Sequence, residues 1–330
     1  MIREKPEGGG LRTIEVCRIC GGSFRRCLTV REMMFGTRET FLYHQCADCD
    51  CVQIAKIPED LSGYYPPNYY SYDLAQHNAV KRVRRGARRR LILIAPMFVS
   101  RSMRLFSGSD ELFHLYRRRL GIGPTSRVLD VGSGSGAHVT ELREAGVRRA
   151  FGVDPFVPST IERDGVPMVY KAHLGELVDQ YDFVTFHHSL EHMPDQTATL
   201  RQARRLLASG GKILIRIPTV SSEAYEEYGV DWVAFDAPRH LYLHSHKSLR
   251  YLADSANLVV KDLWCDSNAV QFMASEQYRK NIPLIDEKSV TRDGGKRLFS
   301  VYERWAFRTR AARANRNVRG DSICAVLAAA

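Results

Sequence analysis

The segment Arg127–Gly136 (RVLDVGSGSG) constrains this chain most. A short β-branched and apolar run ends in an acid, and three glycines follow at alternate positions. A buried strand that turns through Gly132, Gly134 and Gly136 into a helix near Ala137 brings unpaired backbone N–H groups together and lets a ligand approach the main chain. Eighteen positions after Gly136, Asp154 closes the next β-branched run, where a carboxylate accepts both hydroxyls of a ribose. A glycine-rich turn alone is weak evidence. Strand, acid, loop, helix and second acid in this order specify a nucleoside ligand. The GxGxG spacing differs from the GxGxxG that suits a pyrophosphate, which argues against a dinucleotide.

The rest of the chain is organised around that loop. The runs Val128–Val131, Ala150–Val153, Met168–Tyr170, Phe183–Phe186 and Lys212–Ile217 alternate with helical patterns. Among those helices are Ala137–Ala145 and Thr197–Leu207, the latter closed by Ser209-Gly210-Gly211. Such alternation predicts a parallel sheet flanked by helices, an α/β fold. Two later runs, Leu258–Trp264 and Ser322–Leu327, add two strands around a long helical, basic insertion. A length of 330 residues, 44% of them hydrophobic, suffices for this core and one small additional domain. The boundaries predicted are a metal-binding module over 1–72, a basic helical linker over 73–123 and the α/β domain over 124–330. The aromatic stretch Tyr64–Tyr72 (YYPPNYYSY) closes the module as a linker or docking segment.

Of eight cysteines, six fall between Cys17 and Cys51. They are too few for a disulfide scaffold and too clustered for chance, which suggests metal in a reducing compartment. Cys17-x2-Cys20 and Cys46-x2-Cys49 form two knuckles that aim paired thiolates at one centre, as tetrahedral Zn2+ requires. Cys27 and Cys51 remain as alternative ligands. Four thiolates leave no open position, so the expected role is structural: folding a segment too small to fold alone.

The formal net charge of +11 is densest at Lys81–Arg90 (KRVRRGARRR). This run reads first as a solvated, Arg-rich helix, and otherwise as a contact for nucleic acid or for an anionic membrane surface. The first residues hold no apolar stretch of secretory type, and Leu91–Ser100 is about half the ~20 residues that span a bilayer. A cytoplasmic protein without a transmembrane segment is expected.

With these segments in view, Arg127 to Trp264 resembles the class I methyltransferases that use S-adenosylmethionine (SAM). Tyr181–Pro194 (YDFVTFHHSLEHMP) looks like that family's fourth strand and following loop, and Leu206–Pro218 (LLASGGKILIRIP) like its fifth-strand region. The resemblance implies a Rossmann-like, seven-stranded methyltransferase sheet with SAM as cosubstrate. It places Asp130, Gly132, Ser133, Gly134 and Gly136 around the methionine part, Asp154 at the ribose, and His188 and Ser189 beside the sulfonium. The Ala172–Leu174 segment would border adenine. There the chain departs from the acidic or amide side chain usual in the family, offering His173 and the more distant Glu176.

Zinc knuckles, the Tyr-rich stretch and this core together resemble bacterial zinc-binding methyltransferases, including sugar C-methyltransferases. Asp236–Ser245 (DAPRHLYLHS) looks like their acceptor-side loop and Arg319–Val326 like their closing strand. Where the sugar enzymes carry Tyr-His-Glu-His, this chain reads Ala237-Pro238-Arg239-His240 and keeps only the last His. Methyl transfer is an in-line displacement, so alignment is the main task and a base serves only protonated acceptors. His240 is the first candidate base, with Tyr242, Glu191 and His188 behind it. Glu191-His192 reads equally well as the start of the next helix. The expected acceptor is a small molecule, a nucleotide sugar or other glycan precursor. The alternative is RNA, bound through the zinc module and the basic run.

Overall fold

The computed structural model describes residues 15–65, 79–94, 110–292, 295 and 298–330. In the Cys-bearing segment, β1 (Phe24–Arg31), β2 (Thr40–Cys46) and β3 (Val52–Ile54) pair antiparallel in succession. A fourth strand, β10 (Tyr242–Leu243), comes from far along the chain and pairs with β3 through Tyr242–Gln53 and Leu243–Val52. The small sheet is therefore completed by the loop that sequence reading assigns to the acceptor side.

The central sheet contains β4 (Arg127–Val131), β5 (Arg149–Val153), β6 (Ile161–Arg163), β7 (Val166–Tyr170), β8 (Tyr181–His187), β9 (Leu207–Pro218), β11 (Leu258–Cys265) and β12 (Ser322–Ala329). Their order is β11-β12-β9-β8-β4-β5-β7-β6. All seven runs read from the sequence are strands of this sheet. The three-residue β6, antiparallel to β7, is added at the edge. β4, β5, β7, β8 and β9 pair in parallel, while β12 runs antiparallel to both neighbours. Neighbouring strand residues go to opposite faces, as the two-residue period requires. Val128 and Leu214 join one apolar cluster with Val139 and Val326, whereas Leu129 and Ile215 join another with Phe186 and Leu252. A third cluster joins Tyr43, Cys46 and Cys51 to Trp232, Phe235 and Leu241, so the module and the acceptor-side loop share a core.

The helices begin where local chemistry allows. Ala137–Glu144 starts directly after Gly136. Gln196–Arg205 starts at Asp195, whose side chain accepts from the Ala198 N–H at 2.9 Å. Glu191 and His192 thus do not open this helix; they lie in a separate short 3-10 turn, Leu190–His192. Nor do Ser209–Gly211 close it, because β9 already begins at Leu207 and Gly210 adopts a left-handed conformation within the strand.

The basic run forms helix α1 (Ala79–Ile94), packed on Ala137–Glu144. Gly86 makes the close approach: a Cβ there would lie 3.1 Å from the Glu144 carbonyl oxygen. Arg89 is buried, with Nε 2.9 Å from Asp110 Oδ1 and Nη1 3.0 Å from Glu141 Oε1. Arg88 pairs with the same Asp110. Part of the charge in this run is therefore spent on holding the helix, while Arg84 and Arg90 face solvent. The remainder of the 73–123 segment is described only from 110 onward, and residues 66–72 of the Tyr-rich stretch lie outside the described residues. Among the described residues no helix is long and apolar enough to cross a membrane.

Candidate functional site

The glycine loop is folded tightly at the carboxyl ends of the parallel strands. Gly132, Gly134 and Gly136 all have positive φ, and the Gly132 N–H donates to the Val153 carbonyl at 2.9 Å. Side chains would collide at two of these positions: a Cβ on Gly132 would meet Ser189 Cβ at 2.7 Å, and one on Gly136 would meet Val169 Cγ2 at 2.6 Å. Asp154 is buried beneath the loop, with Oδ2 accepting from the Gly134 N–H and Oδ1 from the Phe156 N–H, both at 2.9 Å. Each oxygen keeps a further lone pair for a ribose hydroxyl. Asp130 is buried at the end of β4, where burial raises its pKa and Thr185 Oγ1 donates to it at 2.8 Å. Ser133 Oγ is enclosed without a hydrogen-bonding partner. Helix start, paired acids and glycine cradle are the donor set that SAM requires, so the residues fit that group. His173 is exposed and caps a short turn with Glu176, at the adenine edge named above.

The β8–190s loop joins this cradle to a second feature. Ser189 Oγ donates to the Val131 carbonyl at 2.6 Å, pinning the loop against Gly132. The next residue back, His188, has positive φ and lines a cavity of about 200 Å³. Pro218, Val233, Ala234 and Val270 contribute apolar lining. Arg216, Asp266, Asn268, Gln271, Asp321 and His240 contribute polar groups. Arg216 Nε lies 2.6 Å from Asp266 Oδ2 and its Nη1 2.5 Å from His188 Nε2. Asp321 accepts from Trp232 Nε1 at 3.1 Å, and burial raises its pKa.

His240 lines this cavity, and Glu191 lies behind it. Glu191 is fully buried, and its Oε1 lies 3.5 Å from His188 Nδ1 and 3.9 Å from His240 Nε2. Burial alone would raise the Glu191 pKa; the His188 hydrogen bond and the charges of His192, His240 and His188 instead bring it down to about 2. Burial lowers the His192 pKa to about 4. Tyr242 is placed elsewhere. Its hydroxyl donates to the Pro194 carbonyl at 2.9 Å, burial raises its pKa to about 12, and it does not line the cavity. Arg216, Asp266 and Asp321 were not among the residues expected from the sequence, and His192 was expected only as part of a helix start. Only His192 carried a local signal, being adjacent to Glu191; the others reach the site from three separate strand ends.

In the module, the Sγ atoms of Cys17, Cys20, Cys46 and Cys49 all lie within 4.8 Å of one another. Cys17–Cys49 are 3.7 Å apart and Cys20–Cys46 3.5 Å, close to the ~3.8 Å edge of a tetrahedron with bonds of about 2.3 Å. The backbone turns toward these sulfurs, with N–H groups of Ile19, Asp48 and Cys49 each 3.4 Å from one. Gln53 Nε2 donates to Cys17 Sγ at 3.0 Å. A hydrogen bond from Cys49, outweighing burial, lowers the Cys17 pKa to about 5. Cys27 is exposed on β1, and the buried Cys51 thiol, raised by burial, faces the Val52 carbonyl. Both alternative ligands stand apart from the cluster, and the four-thiol set fits zinc.

Comparison with known proteins finds methyltransferases. A family profile described as a methyltransferase domain matches residues 104–263. A ubiquinone biosynthesis O-methyltransferase from Aeromonas salmonicida is 28% identical over 157 residues, covering 42% of this chain and 64% of the relative, just under two thirds of its length. A demethylmenaquinone methyltransferase from Corynebacterium urealyticum is 31% identical over 159 residues, covering 45% of this chain and 67% of the relative. Among solved structures, coclaurine N-methyltransferase bound to N-methylheliamine and SAH superposes with a TM-score of 0.42 at 17% identity, covering 67% of this chain and 73% of that one.

Proposed function

This chain belongs to the class I SAM-dependent methyltransferases, and on that premise we propose that it transfers the methyl group of SAM to a small molecule held in the cavity beside His188. One observation carries the reading: a single loop closes both sites, with Ser189 packed on Gly132 of the donor cradle and His188 lining the acceptor cavity. When bound, SAM supplies an electrophilic methyl on its sulfonium. The chain's own residues do the rest. Asp154 and the loop N–H groups fix the nucleoside, Asp130 and Gly132–Gly136 surround the methionine part, and His188–Ser189 set the distance between donor and acceptor.

The cavity of about 200 Å³ takes one ring-sized acceptor, with any carrier group extending beyond it. Its mixed lining supports a sugar-like molecule, whose ring carbons suit Val233 and Val270 and whose hydroxyls suit Asp266, Asn268 and Gln271. That is the finer reading we favour: a nucleotide sugar or glycan precursor, with His240 as base and Glu191 behind it. It is favoured over RNA because Arg88 and Arg89 are engaged with Asp110 inside the fold. Zinc at Cys17, Cys20, Cys46 and Cys49 would hold the module whose β3 anchors the acceptor loop. The test is SAM-dependent mass gain across nucleotide sugars, quinol precursors and RNA. Methylation of sugars alone supports the reading; methylation of quinols or RNA replaces the acceptor, and no transfer to any of them counts against the assignment.

A further inference from the structure

Glu191 presents a problem that methyl transfer alone does not solve. Its side chain is fully buried, and the ring nitrogens nearest its Oε1, His188 Nδ1 at 3.5 Å and His240 Nε2 at 3.9 Å, stand at or beyond the limit of a hydrogen bond. A buried carboxylate left in this way costs several kcal/mol in proteins generally, so something positive belongs beside it.

The neighbours show what. His240 Nδ1 lies 2.8 Å from the Ala234 carbonyl, and His192 Nδ1 lies 2.9 Å from the Arg239 carbonyl. A carbonyl accepts only, so the His240 ring donates from Nδ1, which leaves its Nε2 with the free lone pair in the neutral imidazole; His192 Nδ1 is shared between the Arg239 carbonyl and the Tyr65 hydroxyl at 3.1 Å. Ligand atoms of Glu191, His192 and His240 lie within 4.8 Å of one another. A carboxylate and two imidazoles thus converge, with His240 Nε2 toward Glu191 Oε1 at 3.9 Å. Anchoring one imidazole nitrogen on a main-chain carbonyl while the other faces a carboxylate is the outer-shell pattern of metal-binding histidines.

We infer that Glu191, His192 and His240 bind a divalent transition-metal ion, distinct from the zinc of the four-cysteine cluster. Two imidazoles and one carboxylate suit Mn2+, Co2+ or Zn2+, and three protein ligands leave further positions open. Of the three ligands His240 lines the cavity, so an ion held by it would stand next to that space. His188 Nδ1, 3.5 Å from Glu191 Oε1, and Asp236 Oδ2, 3.7 Å from His240 Nε2, stand around the three ligands. On the acceptor reading proposed above, the ion would hold an acceptor oxygen and favour loss of its proton, taking over the part given there to His240, whose Nε2 lone pair the ion would occupy. The ion site itself does not need that reading.

The test uses the full chain with zinc already in the cysteine cluster. Mn2+ is titrated and the free ion followed by electron paramagnetic resonance. One bound Mn2+ per chain is expected, with affinity at least about tenfold weaker in Glu191→Gln and in His240→Asn. SAM binding to both variants confirms that they fold. Should Glu191→Gln fail to fold, His240→Asn decides, and added Co2+ gives a second readout free of sulfur-to-metal absorption. No Mn2+ or Co2+ binding, or equal binding to wild type and His240→Asn, overturns the inference. In that event a protonated His240 is the counterion of Glu191. If Mn2+ binds but no acceptor is methylated, the metal site stands and the proposed function falls.

Discussion

Arg239 Nη2 lies 2.9 Å from Glu32 Oε1 across 207 residues of sequence, and neither side chain is exposed. Glu32 also accepts backbone N–H groups from Met34, Phe35, Gly36 and Thr37, so its carboxylate organises the β1–β2 turn. Arg239 in turn holds Asp236 at 2.6 Å. One guanidinium therefore ties the turn of the cysteine module to the loop that carries His240. Removing one partner of a buried pair leaves an uncompensated charge and costs about 3–5 kcal/mol. Arg239→Met is expected to lose that much in denaturant unfolding. Glu32→Gln in the same chain should return part of it, because the orphaned charge is gone. Additive losses in the double variant would show that the pair is not coupled.

If zinc fills the four-cysteine cluster as proposed, its removal should loosen the loop that carries His240 and spare the glycine cradle. The Ser245 hydroxyl donates to the Cys49 carbonyl at 2.5 Å, and β10 hangs on β3. Loosening the cysteine knuckles would free both contacts, while the Gly132–Asp154 cradle shares none of them. Cys49→Ser is expected to lose the ion and to speed amide exchange at Leu241–Ser245. SAM affinity should stay within about twofold, as for sites without shared partners. Unchanged exchange in the metal-free chain would show that the module folds without zinc.

The donor half of this site was legible because it is local. The glycine loop, Asp130 and Asp154 lie within 25 residues of chain, and parallel-sheet topology allows them one arrangement. The four cysteines were legible for the same reason, each pair being spaced for one turn. The cavity beside His188 was not, because Arg216, Asp266 and Asp321 come from the ends of β9, β11 and β12 and meet only once the sheet order is fixed. The reading of Tyr242 as a base failed to foresee that a two-residue strand would pair with β3 and turn its hydroxyl to Pro194. No periodicity marks a strand that short.

At the donor loop, two substitutions should separate shape from charge. Asp154→Asn removes a charged acceptor but keeps size, and a charge-assisted hydrogen bond of about 1.5–3 kcal/mol predicts roughly 10- to 100-fold weaker SAM binding. Gly132→Ala places a methyl 2.7 Å from Ser189 Cβ at a positive φ, which must push the Ser189 loop away. That variant is expected to lose turnover more than SAM affinity, since the same loop carries His188 into the proposed acceptor cavity. Calorimetric SAM binding and steady-state rates distinguish the two outcomes. A Gly132→Ala enzyme with full turnover would mean that the loop does not set the donor–acceptor distance.

His244 gives a pH prediction whose sign is fixed by its hydrogen bonds. Gln196 Nε2 donates to the Leu190 carbonyl at 2.7 Å, which turns Gln196 Oε1 toward His244 Nε2, also at 2.7 Å. That ring nitrogen must carry the hydrogen, and Ser248 Oγ stands 3.0 Å from the other. Burial lowers the His244 pKa to about 4, against the small opposing pull of Glu191. The folded chain therefore binds this proton less readily than the unfolded chain, whose imidazole titrates near 6.5. The stabilisation is complete above about 6.5 and is lost as pH falls toward 4, by up to about 3 kcal/mol. His244→Asn should be less stable than wild type at pH 8, and the gap should close across that window in urea unfolding of zinc-saturated protein. A gap that stays constant from pH 8 to pH 4 would mean that His244 is protonated in the folded chain as easily as in the unfolded one.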